Sequence, residues 1–184
     1  GTPNPTLLKQ AEFKGVKPEI ANSYEIGYRG LVTNRLLIDA YGYYSQYKDF
    51  IARVAVGRGQ SGVPARAPID LASPFTTTNY SFVTNSETPV KAIGWGVTAA
   101  YQMGGGYELN ANVSSDKLQD VPQGLITFFN SPELRYNIGF SNENVYKNVG
   151  FNVIYRRQKE MLWQGTFGTG NVDAYGVLDA QVSY

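Results

Sequence analysis

The sequence predicts an all-β fold: a run of antiparallel strands from the wall of a transmembrane β-barrel. Three observations predict it. Apolar residues recur with period two, short and long connections alternate along the chain, and the composition is rich in Tyr and Gly. The 184 residues include 14 Tyr, 20 Gly and 14% aromatics, with a mean hydropathy of −0.28. A low mean is ordinary for a membrane barrel, whose lipid-facing and lumen-facing residues alternate and average out. No run approaches the roughly 18 apolar residues of a membrane-crossing helix, and the opening GTPNPTLLKQ reads as loop rather than as a signal segment.

Taken in chain order, the first strand sets Tyr24, Ile26 and Tyr28 against Glu25, Gly27 and Arg29. A short turn near Thr33–Arg35 leads into Leu36–Tyr47, where aromatics on both faces leave the register open. In the third strand, Ala92–Gln102, one face carries Ile93, Trp95, Val97, Ala99 and Tyr101. Its other face carries Ala92, Gly94, Gly96, Thr98, Ala100 and Gln102. Three glycines at 104–106 mark a tight hairpin into Tyr107–Val113, where Tyr107, Leu109, Ala111 and Val113 oppose Glu108, Asn110 and Asn112. Leu134–Ser141 repeats the pattern with Leu134, Tyr136, Ile138 and Phe140. A short polar link at 142–147 precedes Val149, Phe151, Val153 and Tyr155, and the last strand, near Val177–Tyr184, aligns Leu178, Ala180, Val182 and Tyr184.

That makes seven strands of about ten residues, the length that crosses a bilayer at a tilt. Short turns near 33–35, 104–106 and 142–147 alternate with long connections near 52–90, 119–131 and 161–174. In bacterial outer-membrane barrels the short turns are periplasmic and the long loops extracellular. A soluble β-sandwich also alternates, and it stays open on the pattern alone. Against it stand the crowding of aromatic and branched residues on one face and of Gly, Thr, Asn and scattered charge on the other. Aromatics at strand ends (Tyr24, Tyr28, Tyr101, Tyr107, Tyr155) would form interfacial girdles. An odd strand count does not close a bacterial barrel, and an open edge in lipid leaves backbone groups unpaired. The expectation is therefore a part of a larger barrel.

Composition excludes several functions. Lys and Arg number 16 against 15 Asp and Glu, a net charge of +1 with no basic cluster, which argues against nucleic acid. Absence of Cys removes disulfide scaffolds and thiolate metal sites, and absence of His removes the commonest general base and metal ligand. Glu25, Asp39, Asp49 and Glu108 read as a solvated lumen wall. Gly104–Gly106 lack the Lys of a phosphate loop, and Asp70, Asp116, Asp120 and Asp173 lack calcium-loop spacing. The expectation is no enzyme, no metal and no cofactor.

Three stretches carry a resemblance. GVKPEIANSYEIGYRG (15–30), IDAYGYYSQYKDFI (38–51) and the segment from FNSPELRYNIGF to LDAQVSY (129–184) resemble, in order and spacing, the barrel strands of TonB-dependent receptors, particularly of Bacteroidetes type. The resemblance implies a 22-stranded plugged barrel in the Gram-negative outer membrane. Such receptors bind a scarce extracellular nutrient and import it with energy from the TonB complex. It also implies that residues 1–184 form a partial barrel domain, without the plug, the TonB box or the family's last strands. Implied partners are outer-membrane lipid and lipopolysaccharide, the TonB complex through the plug, a surface lipoprotein, and a small-molecule, peptide or glycan cargo. A passive channel or adhesin barrel is the alternative. Ligand contacts in such a barrel come from outer loops and the upper lumen, which singles out Tyr47, Phe50, Arg53, Phe128, Phe129, Arg156, Arg157 and Trp163. Girdle or loop packing explains the aromatics as well, and the Arg pair equally suits lipopolysaccharide phosphates.

Overall fold

A computed structural model describes residues 14–59, 77–165 and 168–184. The opening decapeptide, the middle of the 52–90 connection with Asp70, and residues 166–167 lie outside the described residues. Twelve strands are found among those described: β1 (Ile20–Thr33), β2 (Leu36–Lys48), β3 (Ile51–Gly59), β4 (Thr77–Asn85), β5 (Val90–Gly104), β6 (Tyr107–Gln119), β7 (Leu125–Ile126), β8 (Arg135–Tyr146), β9 (Val149–Gln158), β10 (Met161–Gln164), β11 (Thr169–Val172) and β12 (Tyr175–Ser183). Seven of them form one sheet in the order β1-β2-β5-β6-β8-β9-β12, antiparallel throughout. These are the seven expected from alternation.

Register explains why one face is apolar. Residues directly opposite in an antiparallel pair point to the same side, so each strand's apolar set must align with its neighbours'. Tyr24, Tyr44 and Ile93 share a row, as do Ala40, Val97, Val113 and Tyr136. Another row runs Leu36, Tyr101, Leu109, Phe140, Val153 and Ala180. The described residues leave this face uncovered: Ile26 is 80% exposed, Trp95 42%, and Val182 75%. Among the described residues the buried apolar side chains are Ala52, Val90, Ala92 and Pro132. Trp95, Val97 and Phe140 lie open, and the described residues do not pack them into the middle of a globule. β1 and β12 each have one neighbour in this sheet.

Three tight turns lie at one end, at Asn34–Arg35, Gly105–Gly106 and Lys147–Asn148. The expected link at 142–147 is corrected: β8 continues through an irregularity between Asn142 and Tyr146, and the chain reverses at Lys147 and Asn148, both at positive φ (44° and 70°). That backbone matches the twist of a two-residue hairpin. Buried Asn142 donates Nδ2 to the Gly105 carbonyl (2.9 Å), tying two adjacent turns together. Tyr24 and Tyr28 fall inside β1, not at its ends, because the strand runs for 14 residues.

The long connections, expected as loop, hold short strands. β3 pairs with β4 and with β7, and β10 pairs with β11. Alternation did not mark them because a hairpin standing in water has no lipid face to impose it.

Candidate functional site

The polar face carries a chain of side-chain bonds across four strands. Tyr43 on β2 lays its ring over Gly94 on β5 and donates its hydroxyl to Asp116 Oδ1 on β6 (2.7 Å). Arg135 on β8 donates Nη2 to Asp116 Oδ2 (2.5 Å) and Nε to Ser114 Oγ (3.0 Å). A Cβ on Gly94 would stand 2.2 Å from the Tyr43 ring, and one on Gly96 2.6 Å from the Tyr41 ring. The two glycines therefore make room for the tyrosines that blurred the register of β2 in the sequence. Further along this face Arg29 pairs with Asp39 (3.7 Å), and Arg156 pairs with Asp179 through Nη2 and Nε (3.0 Å for the latter). Crossed ion pairs and amides of this kind suit a wet wall.

Opposite the tight turns, the outer connections are tied to one another. Asp49, at φ 53°, turns the chain from β2 into β3. Asn85 secures the base of the β3–β4 pair, donating Nδ2 to the carbonyls of Asp49 (2.6 Å) and Lys17 (3.0 Å) and accepting from the Lys17 amide (2.7 Å). Gln164 holds the second connection to the third. Its Oε1 accepts from the amides of Thr127 (3.0 Å) and Phe128 (3.1 Å). Its own backbone amide donates to Asn130 Oδ1 (2.7 Å), and its carbonyl accepts from Asn130 Nδ2 (2.9 Å). Phe128 sits at φ 55°, a conformation that favours glycine; there its amide and its neighbour's converge on one oxygen.

Of the eight candidate contacts, the fold brings together two pairs. Arg53 places its guanidinium 5.6 Å from the Phe128 ring centroid, and Tyr47 meets Phe50 edge-on at 5.7 Å. Phe129 lines a cleft of about 510 Å³ with Asn130, Glu133, Leu162 and Gln164. Trp163 stands apart on β10, opposite Gly170 and 49% exposed. Arg156 and Arg157 are neighbours in sequence but point to opposite faces. Arg156 is in register with Asn137 and Val177 on the polar face, Arg157 with Tyr136 on the apolar one. Asn85, Gln164 and Asn130 escaped sequence reasoning, since single polar residues in loops carry no signal of partners 34 to 68 residues away.

At the outer end of the apolar face the residues become basic. Lys91 pairs with Asp120 (2.6 Å), and Glu133 lies between Lys117 (3.2 Å) and Lys159 (3.6 Å). The hydrogen bond from Lys117, then the charges of Lys117 and Lys159, hold the Glu133 carboxyl below the ordinary carboxylate range.

The model of a family described as TonB dependent receptor-like, beta-barrel matches residues 2–184. No curated protein sequence matches the chain. Among solved structures, the copper transporter OprC superposes with a TM-score of 0.62 at 17% identity, covering 90% of this chain and 23% of that one. The siderophore receptor PirA from Acinetobacter baumannii gives 0.60 at 15%, covering 92% and 26%. The FrpB iron transporter from Neisseria meningitidis (F3-3 variant) gives 0.59 at 15%, covering 91% and 23%. At these identities the likeness is one of fold, and the chain spans about a quarter of each structure's length.

Proposed function

Since this chain belongs to the TonB-dependent receptor β-barrel family, whose members are transporters of the Gram-negative outer membrane and not enzymes, we propose that it supplies seven adjacent wall strands of an active-transport receptor. The receptor binds a scarce extracellular nutrient and imports it with TonB-supplied energy. The observation that carries this reading is the seven-stranded sheet whose apolar rows stay in register from β1 to β12 while the opposite face holds glycines, amides and crossed ion pairs. The plug and the remaining strands come from outside these 184 residues, in keeping with neighbours about four times as long. Motif order in 15–30, 38–51 and 129–184 supports the Bacteroidetes-type branch, and with it a surface lipoprotein as partner.

Cargo is met by the outer connections and the upper lumen, with Tyr47, Phe50, Arg53, Phe128, Phe129, Arg156 and Trp163 as contacts. A copper transporter, a siderophore receptor and an iron transporter share the fold of this wall, which supports selection among small-molecule, peptide and glycan cargo by these loops rather than by the strands. The test is growth on a panel of limiting nutrients by cells expressing the intact receptor. Rescue by at least one nutrient that vanishes when TonB is deleted is expected. Rescue that survives the deletion would make the protein a passive channel, and none at all would favour an adhesin.

Arg157, Lys91, Lys117 and Lys159 sit where the apolar face ends at its outer rim, matching anionic headgroups at the outer leaflet. Planar guanidinium and surplus ammonium there suit lipopolysaccharide phosphates. Purified receptor should carry bound lipopolysaccharide that Arg157→Gln with Lys117→Gln reduces several-fold. Unchanged phosphate content in that double variant would rule the contact out.

A further inference from the structure

Near the outer ends of β8, β9 and β12, two register rows on the polar face bring donor groups side by side. Arg135 lies opposite Gln158 and Gln158 opposite Tyr175; Asn137 lies opposite Arg156 and Arg156 opposite Val177. These six residues, together with Arg157, line an open depression of about 310 Å³. Gln158 Nε2 is the one buried side-chain nitrogen or oxygen among the described residues without a hydrogen-bond partner. Folded proteins rarely leave such a donor unanswered, so its acceptor is to be sought outside the described chain.

The charges beside it are partly committed. Arg135 spends Nε on Ser114, Nη1 on Ser131 (3.1 Å) and Nη2 on Asp116. Arg156 gives Nε and Nη2 to Asp179, which leaves Nη1 unengaged. Two donors among the lining residues are thus unengaged, one of them on a permanently charged fork.

We propose that this depression is an oxyanion site, in which a carboxylate or phosphate is held between Arg156 Nη1 and Gln158 Nε2. The guanidinium supplies charge and planar geometry, and the buried amide supplies direction. The anion comes either from a dissolved ligand or from a carboxylate side chain elsewhere in the receptor that enters the lumen. The site rests on the reading of this face as the lumen wall.

The test uses the full-length receptor in detergent, as wild type, Gln158→Met and Arg156→Gln, titrated calorimetrically with inorganic phosphate and with citrate. Heat-modifiable migration on gels reports barrel closure separately; its absence in the wild type would count against the barrel, not against the site. For a dissolved source, the wild type binds one of the two probes and each variant binds it about tenfold more weakly, the worth of one charge-assisted hydrogen bond. For an internal carboxylate, the wild type binds neither probe and Gln158→Met lowers the Tm, because a bond already made is lost. No binding with a Tm unchanged or raised in Gln158→Met overturns the proposal. So does anion binding that both variants leave intact.

Discussion

Gly94 and Tyr43 show how single residues set the wall. A ring can lie across a neighbouring strand only where that strand has no side chain, and Gly94 provides the gap through which Tyr43 reaches Asp116 two strands away. Gly94→Val would push the ring off and break that bond, costing about 1–3 kcal/mol for the stranded acceptor. Gly42→Ala serves as the control, because its Cβ would meet only the Gly94 carbonyl at 3.8 Å, an ordinary contact. Denaturant unfolding of the intact receptor in detergent should separate the two variants. Equal midpoints would mean that the glycine makes no room that matters. This device also explains what the sequence hid: Tyr41, Tyr43 and Tyr44 put rings on both faces of β2, and only the neighbouring glycines reveal which rings face inward.

At the scale of elements, the strands of the large sheet were legible because lipid on one side and water on the other force period-two alternation. Tyr107–Val113 and Val149–Tyr155 read correctly for that reason. The hairpins of the outer connections were not legible. β3 carries Val54, Ala55 and Val56 in succession, and its partner β4 carries Thr77, Thr78 and Asn79, a pattern that follows no membrane. Nor could sequence show that Gln164 clasps Thr127 and Phe128, or that Arg53 covers Phe128. The clasp predicts a local effect. Gln164→Ala should strip the amides of Thr127 and Phe128 of their acceptor and raise their hydrogen-exchange rates by about tenfold or more, since local opening there no longer breaks two bonds. Exchange in β5 and β6 should stay as it was, and the Asn130 contacts to the Gln164 backbone should persist. Unaltered exchange at Thr127 and Phe128 would show that the connections are held together by other means.

For the whole molecule, the deciding property is which side of the sheet meets hydrocarbon. Everything proposed about transport, lipid contact and the oxyanion site follows from that orientation, and the absence of Cys from these 184 residues makes it directly measurable. Single cysteines at Trp95, Val97 and Ala99, and at Ala92, Thr98 and Ala100, can be spin-labelled in the intact receptor reconstituted into bilayers. Collision with oxygen, which concentrates in lipid, and with a water-soluble nickel chelate then reports each label's surroundings. Labels at 95, 97 and 99 are expected to favour oxygen, and those at 92, 98 and 100 to favour the chelate or to be shielded from both. Loss of the alternation, or oxygen preference on the Thr98 side, would contradict the account.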